Sequence, residues 1–425
     1  MNEIKKDTII KIITEFCRLL IGVVFIFSGF VKAVDPMGGA IKISEYLTSF
    51  GLESLEAFSV LISFNLSAIE FTLGVCMLLG AYRRYTAFFA LLFMAFMTPL
   101  TLYLALFDPV SDCGCFGDAL ILSNWETFFK NVALLVATII TFSYNQRLLP
   151  FYTYRVYWFV ALYAYLISSG FAYYNYNHLP VIDFRPYKIG ANISQLMEIP
   201  EGAPEDEYKY SFVYEKEGIK KEFSLEDYPA NDSSWIFVES KSELVKKGYQ
   251  PLVSDFSLYD LDGEDVTVSL LNEQELVLLL IAPKLEDADD EQMDAINDMY
   301  DYVLEKKIPF YCVTGSSLDA MDYWRIHTGA EYPFLMADEV LLKTIIRSNP
   351  GLVLLEKGTI REKWHYHDIP AEEQIEGEIM RCLDGNHIKS KEDGFLVSNL
   401  LTFAVPLLLV WIYDWIRFKR RRKEE

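Results

Sequence analysis

Long apolar runs dominate positions 9–174, give way to mixed and acidic sequence over 177–398, and return once at 400–416. Six runs are long enough to cross a bilayer: 9–31, 58–80, 85–107, 128–142 with its flanks, 156–174 and 400–416. The fourth is the weakest, because Lys130 and Asn131 shorten its apolar core. The first is too long for a signal-peptide core and is followed by Lys32-Ala33-Val34-Asp35-Pro36 without a small-residue cleavage site. It reads as an uncleaved span.

Beyond the fifth run the periodicity changes. Alternation of Tyr210, Phe212, Tyr214 and Phe223 around Gly218 predicts a hairpin, and Trp235-Ile236-Phe237-Val238 predicts another short strand. Residues 255–263 read as a strand running into an Asp-Gly turn. Residues 276–281 are continuously apolar, as a strand covered on both faces should be. Met293, Ile296, Met299, Tyr300 and Val303 recur at helical spacing within an acidic segment. A second buried strand over 308–314, a helix over 318–327, and strands at 332–338 and 349–355 with a Lys357-Gly358 turn complete an α/β order. The domains expected are a four-span bundle (1–145), a fifth span (146–176), a β-rich segment (177–250), an α/β domain (251–370), an acidic linker (371–398) and a sixth span with a basic tail (399–425).

Charge supports that division and orients it. The 425-residue chain is 52% hydrophobic yet carries a formal net charge of −22. All the excess acid falls within 176–395, the rest being close to neutral, which disfavours nucleic acid as a partner. Lys5 and Lys6 precede the first run and Lys11 lies at its start, Arg83 and Arg84 follow the second, Arg147 and Arg155 the fourth, and Lys419-Arg420-Arg421-Arg422-Lys423 the sixth. All fall on one side if the first span starts in the cytoplasm. Both termini are then cytoplasmic, and the loop at 108–127 and the acidic domain are extracytoplasmic.

That loop holds Asp112-Cys113-Gly114-Cys115-Phe116-Gly117. Glycine can take φ > 0, so the backbone can fold tightly enough to bring both sulfurs together. A bridge closed over so few atoms would be strained and readily reduced. Inert thiols, or half of a metal site, are the competing readings; zinc wants four ligands and none lies nearby in sequence. The other cysteines, Cys17, Cys76, Cys312 and Cys382, are scattered. Cys312 reads as a buried small hydrophobe and Cys382 as solvent-facing or free. Cys17 and Cys76 lie toward the inner side, too far from the loop for direct exchange. Trp364-His365-Tyr366-His367 places two His on one strand face without a third ligand, and no metal site is expected.

Arg18, Lys32 and Glu70 lie within or at the edge of the apolar runs, where charges are costly. Glu70 reads as an ion-paired carboxylate holding helices together, with a proton relay as the alternative. Arg18 and Lys32 are expected to snorkel toward opposite faces.

Residues 18–22, 27–32, Asp35-Pro36, Glu70, Leu79-Gly80, Arg83-Arg84, Phe129-Lys130-Asn131 and above all 112–117 resemble the MauE/DoxX group of bacterial membrane proteins. The resemblance covers roughly a third of the chain and implies a four-helix membrane fold associated with redox maturation of periplasmic proteins. MauE is named from methylamine utilisation, where disulfide formation in a dehydrogenase subunit is the supposed task; DoxX relatives imply quinone-coupled chemistry. Residues 252–367 resemble thioredoxin-like domains of the peroxiredoxin and cytochrome-maturation type. The chain departs from them where the reactive Cys should follow the first central strand: Ile281-Ala282-Pro283-Lys284-Leu285-Glu286-Asp287 has no cysteine. Pro350 stands where that family's substrate-receiving proline would lie, and so is the candidate client-docking residue.

The fold expected is therefore a membrane α-helical bundle, four MauE/DoxX-like spans plus two more, with an extracytoplasmic thioredoxin-like domain. The function expected is thiol–disulfide oxidoreductase chemistry in a bacterial inner membrane. Cys113 and Cys115 would react, supported by Asp112, Gly114, Phe116, Gly117, Glu70, Arg18 and Lys32. The partner would be an extracytoplasmic client protein, and a quinone between the helices is the candidate electron acceptor. The alternative is a non-enzymatic membrane-anchored binding protein with a structural disulfide, and a transporter stands third.

Overall fold

Each apolar run folds as a helix. The computed structural model describes the backbone of residues 2–424 apart from 111, 201, 205–206, 217, 225–234, 247, 250, 255, 274 and 384–386. The first five runs lie in α1 (Asn2–Val34), α3 (Ser59–Leu79), α4 (Arg83–Phe107), α5 (Asn124–Ser143) and α6 (Tyr157–Asn177); a short amphipathic helix, α2 (Pro36–Ser49), separates the first two. Among the described residues, three helices are long and apolar enough to cross a membrane by length and composition: 53–79, α4 and α5; α1, α6 and α12, which hold the other three runs expected to span, are not among them. The run at 128–142 is thus a stronger span than its Lys130-Asn131 interruption suggests. Its helix starts earlier, where Ser123 and Glu126 form a reciprocal capping box.

The helices pack by burying small residues against one another, as helices in lipid do. A Cβ on Gly29 of α1 would sit 2.5 Å from the backbone nitrogen of Phe71, so the approach of α1 to α3 requires glycine there. Cys17, Ile21, Phe25, Met94 and Leu134 form one core of the bundle, and Phe71, Val75, Cys76 and Val160 another. Cys17 and Cys76 are buried.

Arg18 does not snorkel. It is buried, its Nη1 donates to the carbonyl of Leu78 at 2.8 Å, and its Nε lies 2.6 Å from Glu15. The last carbonyls of α3 carry the negative end of the helix dipole, and the guanidinium satisfies them in place of water.

The acidic region holds two sheets. After α7 (Ile193–Met197), β1 (Glu207–Lys216), β2 (Ile219–Ser224) and β3 (Ile236–Lys246) form an antiparallel sheet of order β2-β1-β3. The larger unit comprises β4 (Leu276–Ala282), α8 (Met293–Glu305), β5 (Phe310–Thr314), α9 (Leu318–Thr328), β6 (Phe334–Met336), α10 (Glu339–Ile345), β7 (Gly351–Glu356), β8 (Thr359–His365) and α11 (Glu372–Leu383). Its sheet order is β6-β5-β4-β7-β8, with β4, β5 and β6 parallel and β7 and β8 antiparallel. This is a thioredoxin-like arrangement. The central strand β4 alternates its buried side chains between two cores: Leu278 and Leu280 join Ile296 and Trp324, while Val277, Leu279 and Ile281 join Phe256 and Leu342. The chain returns to the bundle through α12 (His387–Glu424). Its basic end, 419–423, has side chains outside the described part.

Three expectations change. Of the strand expected at 255–263, residue 255 lies outside the described residues and 256–263 form no strand; Tyr259 makes only isolated bridges to Asp265 and Met336, because Asp260 turns the backbone back through its own side chain. The stretch taken as a linker from 371 opens with α11, since Ile375, Ile379 and Cys382 recur at helical spacing and pack into the core beside α8. Cys382 is accordingly buried rather than solvent-facing, and Cys312 is fully buried as expected.

Candidate functional site

The loop between α4 and α5 is pinned at its base. Asn124 Nδ2 donates to Asp108 Oδ1 at 2.8 Å and to the Val110 carbonyl at 3.0 Å. Within the loop, the Gly114 amide donates to Asp112 Oδ1 at 2.8 Å, and Gly114 takes φ +62°. That left-handed glycine turns Cys113 and Cys115 toward each other, and their sulfurs lie 2.7 Å apart as free thiols. A side chain at Gly114 would be strained and would put its Cβ 3.2 Å from Lys42 Cγ. Gly114→Ala is expected to destabilise the loop by about 1–2 kcal/mol. The checks are thermal unfolding of the purified protein and slower closure of the pair under a mild oxidant.

The loop dips into the bundle to be held there. Lys32 directs its three N–H groups to Ser28 Oγ at 2.8 Å, Glu70 Oε2 at 2.8 Å and the Cys115 carbonyl at 2.9 Å. Ser28 Oγ lies 2.7 Å from both Glu70 Oε2 and the same Cys115 carbonyl, so its one proton serves either acceptor. Lys32 therefore does not snorkel: a buried carboxylate one helix away binds its ammonium more firmly than the interface could. Glu70 is ion-paired, as its position within an apolar helix requires. On the other side, the Tyr46 hydroxyl donates to the Cys113 carbonyl at 2.8 Å, and Lys42 reaches Asp112 at 3.2 Å. Phe116 is buried beside Phe27, with the Lys130 ammonium 4.1 Å from its ring centroid.

The two thiols are unequal. The hydrogen bond between them lowers Cys115, aided by Lys130 and Lys32 against the opposing effect of burial, to about 7. The same bond, together with burial, raises Cys113. The first proton leaves the pair readily and the second is held.

A second contact brings the thioredoxin-like domain over this loop. Arg347 Nε lies 3.1 and 3.0 Å from the two carboxylate oxygens of Asp35, its Nη2 is 2.9 Å from Oδ2, and the same Nη2 is 3.5 Å from Asp118, just past the cysteines. His178 and the Asn177 carbonyl, at the end of α6, meet Asp368 and His367. Between loop and domain lies a cavity of about 1440 Å³, floored by Asp112, Gly114 and Gly117 and roofed by Lys343, Thr344 and Arg347.

Pro350 does not offer the docking edge its position suggests. It is buried after a cis peptide bond, and the Asn349 carbonyl before it accepts from the Asp289 amide at 2.9 Å. The Asn349 side chain meanwhile donates to the Lys284 carbonyl at 2.8 Å. The chain's own backbone occupies the hydrogen bonds a client would need.

Residues 10–144 match the family model of the methylamine utilisation protein MauE. The MauE match takes in Ser28, Lys32, Glu70, Lys130 and both cysteines, and leaves Arg347 outside. Residues 208–247, the three-stranded sheet, match a domain of unknown function, DUF8463. No curated protein matches the chain. Among solved structures, a proposed protein disulfide isomerase from Bacteroides thetaiotaomicron is 19% identical over 32% of this chain and 91% of its own, with a TM-score of 0.25. A thioredoxin-like protein from Aeropyrum pernix is 16% identical over 30% of this chain and 89% of its own, with a TM-score of 0.24.

A quinone was the acceptor implied by the DoxX resemblance. The cavity touching Cys115 inside the MauE-like bundle measures about 30 Å³ and is lined by Ser28, Lys32, Glu70, Lys130 and Asn131 among others. It has room for about one water. The residues present do not fit a quinone ring against Cys115, and no step is derived through one.

Serine 28, Tyr46, Lys130, Asp35, Asp118 and Arg347 complete the site without having been singled out for roles in sequence. Ser28 and Lys32 share a helix face four residues apart, a signal that could have paired them. Arg347 carries no such signal, since its partners lie in another domain.

Proposed function

We propose that this membrane protein exchanges thiols and disulfides with an extracytoplasmic client through Cys113 and Cys115. The observation that carries the reading is the pair itself: two thiols 2.7 Å apart across a left-handed glycine, one lowered toward neutrality, on a loop held by buried charge. Thiolate character and an adjacent resolving thiol are what such exchange needs. The match to the methylamine utilisation protein MauE over the same residues supports a redox role for the pair.

The exchange balances without a further reactant. A client disulfide accepts two electrons from the reduced pair, becoming a dithiol as the Cys113–Cys115 bond forms; the reverse direction delivers a disulfide. The basic loops support an orientation in a bacterial inner membrane with both termini cytoplasmic, in which the pair would face the client's compartment. The thioredoxin-like domain, lacking a cysteine after β4 and with Pro350 enclosed, serves as a cover held over the loop by Arg347.

The test is alkylation trapping in intact cells of the wild type, Cys113→Ser and Cys115→Ser. Reduced and oxidised forms should coexist in the wild type, and Cys113→Ser should accumulate a disulfide-linked client. A pair that is fully oxidised, indifferent to mild reductant and without a trapped partner would leave an anchored binding protein with a structural bridge.

A further inference from the structure

We propose that Lys130 is the counter-cation that makes Cys115, rather than Cys113, the attacking thiol of the pair. This rests on the exchange reading and assigns roles within it. Two ammonium groups share the small cavity with Cys115, those of Lys32 and Lys130. They differ in how far their charge is already neutralised. Lys32 is bound to Glu70 at 2.8 Å, so a thiolate beside it feels little more than a neutral pair. Lys130 makes no ion pair with any described carboxylate, and its ammonium rests 4.1 Å from the centroid of Phe116, the residue following Cys115. An aromatic face attracts a cation but does not neutralise it. The charge left over is available to an anion in the adjoining cavity.

The remaining groups act in both directions, since the Tyr46 hydroxyl favours a charge on Cys113 and Glu70 opposes one on Cys115. From α2, Lys42 is engaged by Asp112 and Glu45, and Tyr46 donates to the Cys113 carbonyl. From the loop, Asp112 precedes Cys113 directly and opposes a negative charge on it, while Asp118 leans toward Arg347. From α1 and α3 come only Lys32 and Glu70, paired to each other. Lys130 stands ahead of Lys32 among the charges favouring the Cys115 thiolate; it favours a Cys113 thiolate too, but there the shared hydrogen bond and burial outweigh it.

The chemistry follows in two displacements. Cys115 thiolate attacks one sulfur of a client disulfide, that bond breaks, and the other client sulfur leaves as a thiolate. Cys113 then gives up its proton to the departing thiolate and attacks Cys115 Sγ, releasing the second client sulfur and closing the Cys113–Cys115 bond. Two electrons pass to the client. Lys130 stabilises Cys115 as it attacks and again as it leaves in the reverse direction, where a good leaving thiolate accelerates exchange.

The experiment is the pH profile of iodoacetamide alkylation on the reduced full-length protein in lipid nanodiscs, with the modified cysteine located by fragmentation mass spectrometry. Wild type should be labelled first at Cys115. Lys130→Met should raise the midpoint by about one to three pH units, cutting labelling at neutral pH about tenfold or more, and Lys130→Arg should restore it. A structural role alone would lower stability equally in both variants without moving the midpoint. Should Lys130→Met fail to fold, Lys130→Gln, which keeps a polar head, gives the same reading. First labelling at Cys113, or an unmoved midpoint without the cation, would overturn the proposal. Client trapping in Cys113→Ser cells separates this from the reading beneath it: a shifted midpoint with no trapped client would sink the exchange function and leave the assignment of Lys130 intact.

Discussion

Glu70→Ala is expected to lower stability by about 3–5 kcal/mol, because it leaves the Lys32 ammonium buried without a counter-charge. Only 11% of the Lys32 side chain and 4% of Glu70 are exposed, so solvent cannot take over the lost partner's role. The effect should reach beyond α1 and α3, since Lys32 also holds the Cys115 carbonyl. Lys32→Met combined with Glu70→Met removes both charges and should recover most of the stability, as buried ion pairs replaced by apolar residues often do. The Cys115 carbonyl, however, would keep only Ser28 as its donor, so Cys115 should label faster in the double variant than in wild type. Denaturation in detergent micelles and thiol labelling of the four combinations check both parts. A Glu70→Ala variant no less stable than the double would show that a stranded Lys32 charge is not the source of the loss.

Arg347→Ala should release the thioredoxin-like domain from the bundle. Its side chain is 9% exposed and grips Asp35, itself 17% exposed, through both Nε and Nη2, so truncation strands a largely buried carboxylate at a cost of up to about 3 kcal/mol. Arg347→Lys should rescue little, because an ammonium cannot make the forked contact. The measurements are trypsin cleavage between the two parts and alkylation of Cys113 and Cys115, both of which should rise. Acid should do the same. Burial raises Asp35, but Arg347 and Arg185 outweigh it and hold the carboxyl below its usual range. Its contribution is therefore complete above the ordinary carboxylate value of about 3.9 and is lost as pH falls through the lower folded value. Asp118 runs the other way: burial raises it, so it protonates earlier, and its 3.5 Å contact is the weaker of the two. The latch should hold at mildly acidic pH and open only well below it.

The architecture was legible because hydrophobic period reports element type directly. Helical spacing at Met293, Ile296, Met299 and Val303, and the unbroken run of β4, gave elements close to those found. Residues 255–263 misled because the apolar spacing of a bridge between loops resembles that of a strand. Cys382 misled because an acidic surface hid three apolar positions on one helix face. The cysteine pair could be read locally, since glycine and both sulfurs lie within three residues. Its surroundings could not. Lys32 and Glu70 are 38 positions apart, and Arg347 lies 312 positions from Asp35, so only the folded chain shows which charge answers which.

The last helix gives the outer domain a second attachment. In α12, Asp414 accepts from the Thr153 amide at 2.7 Å and from its hydroxyl at 2.6 Å, Tyr152 donates to the Leu407 carbonyl, and Phe403 stacks on Tyr163. The domain is thus a loop closed at both ends on one bundle, and its encounter with the cysteine loop is intramolecular. Tethering of that kind sets a local concentration in the millimolar range or above for short linkers. A handful of contacts around Arg347 can then keep the cover seated, although the same contacts would scarcely hold two separate molecules together. Severing the chain within 384–386 would leave one tether, and the cover would open more often without being lost.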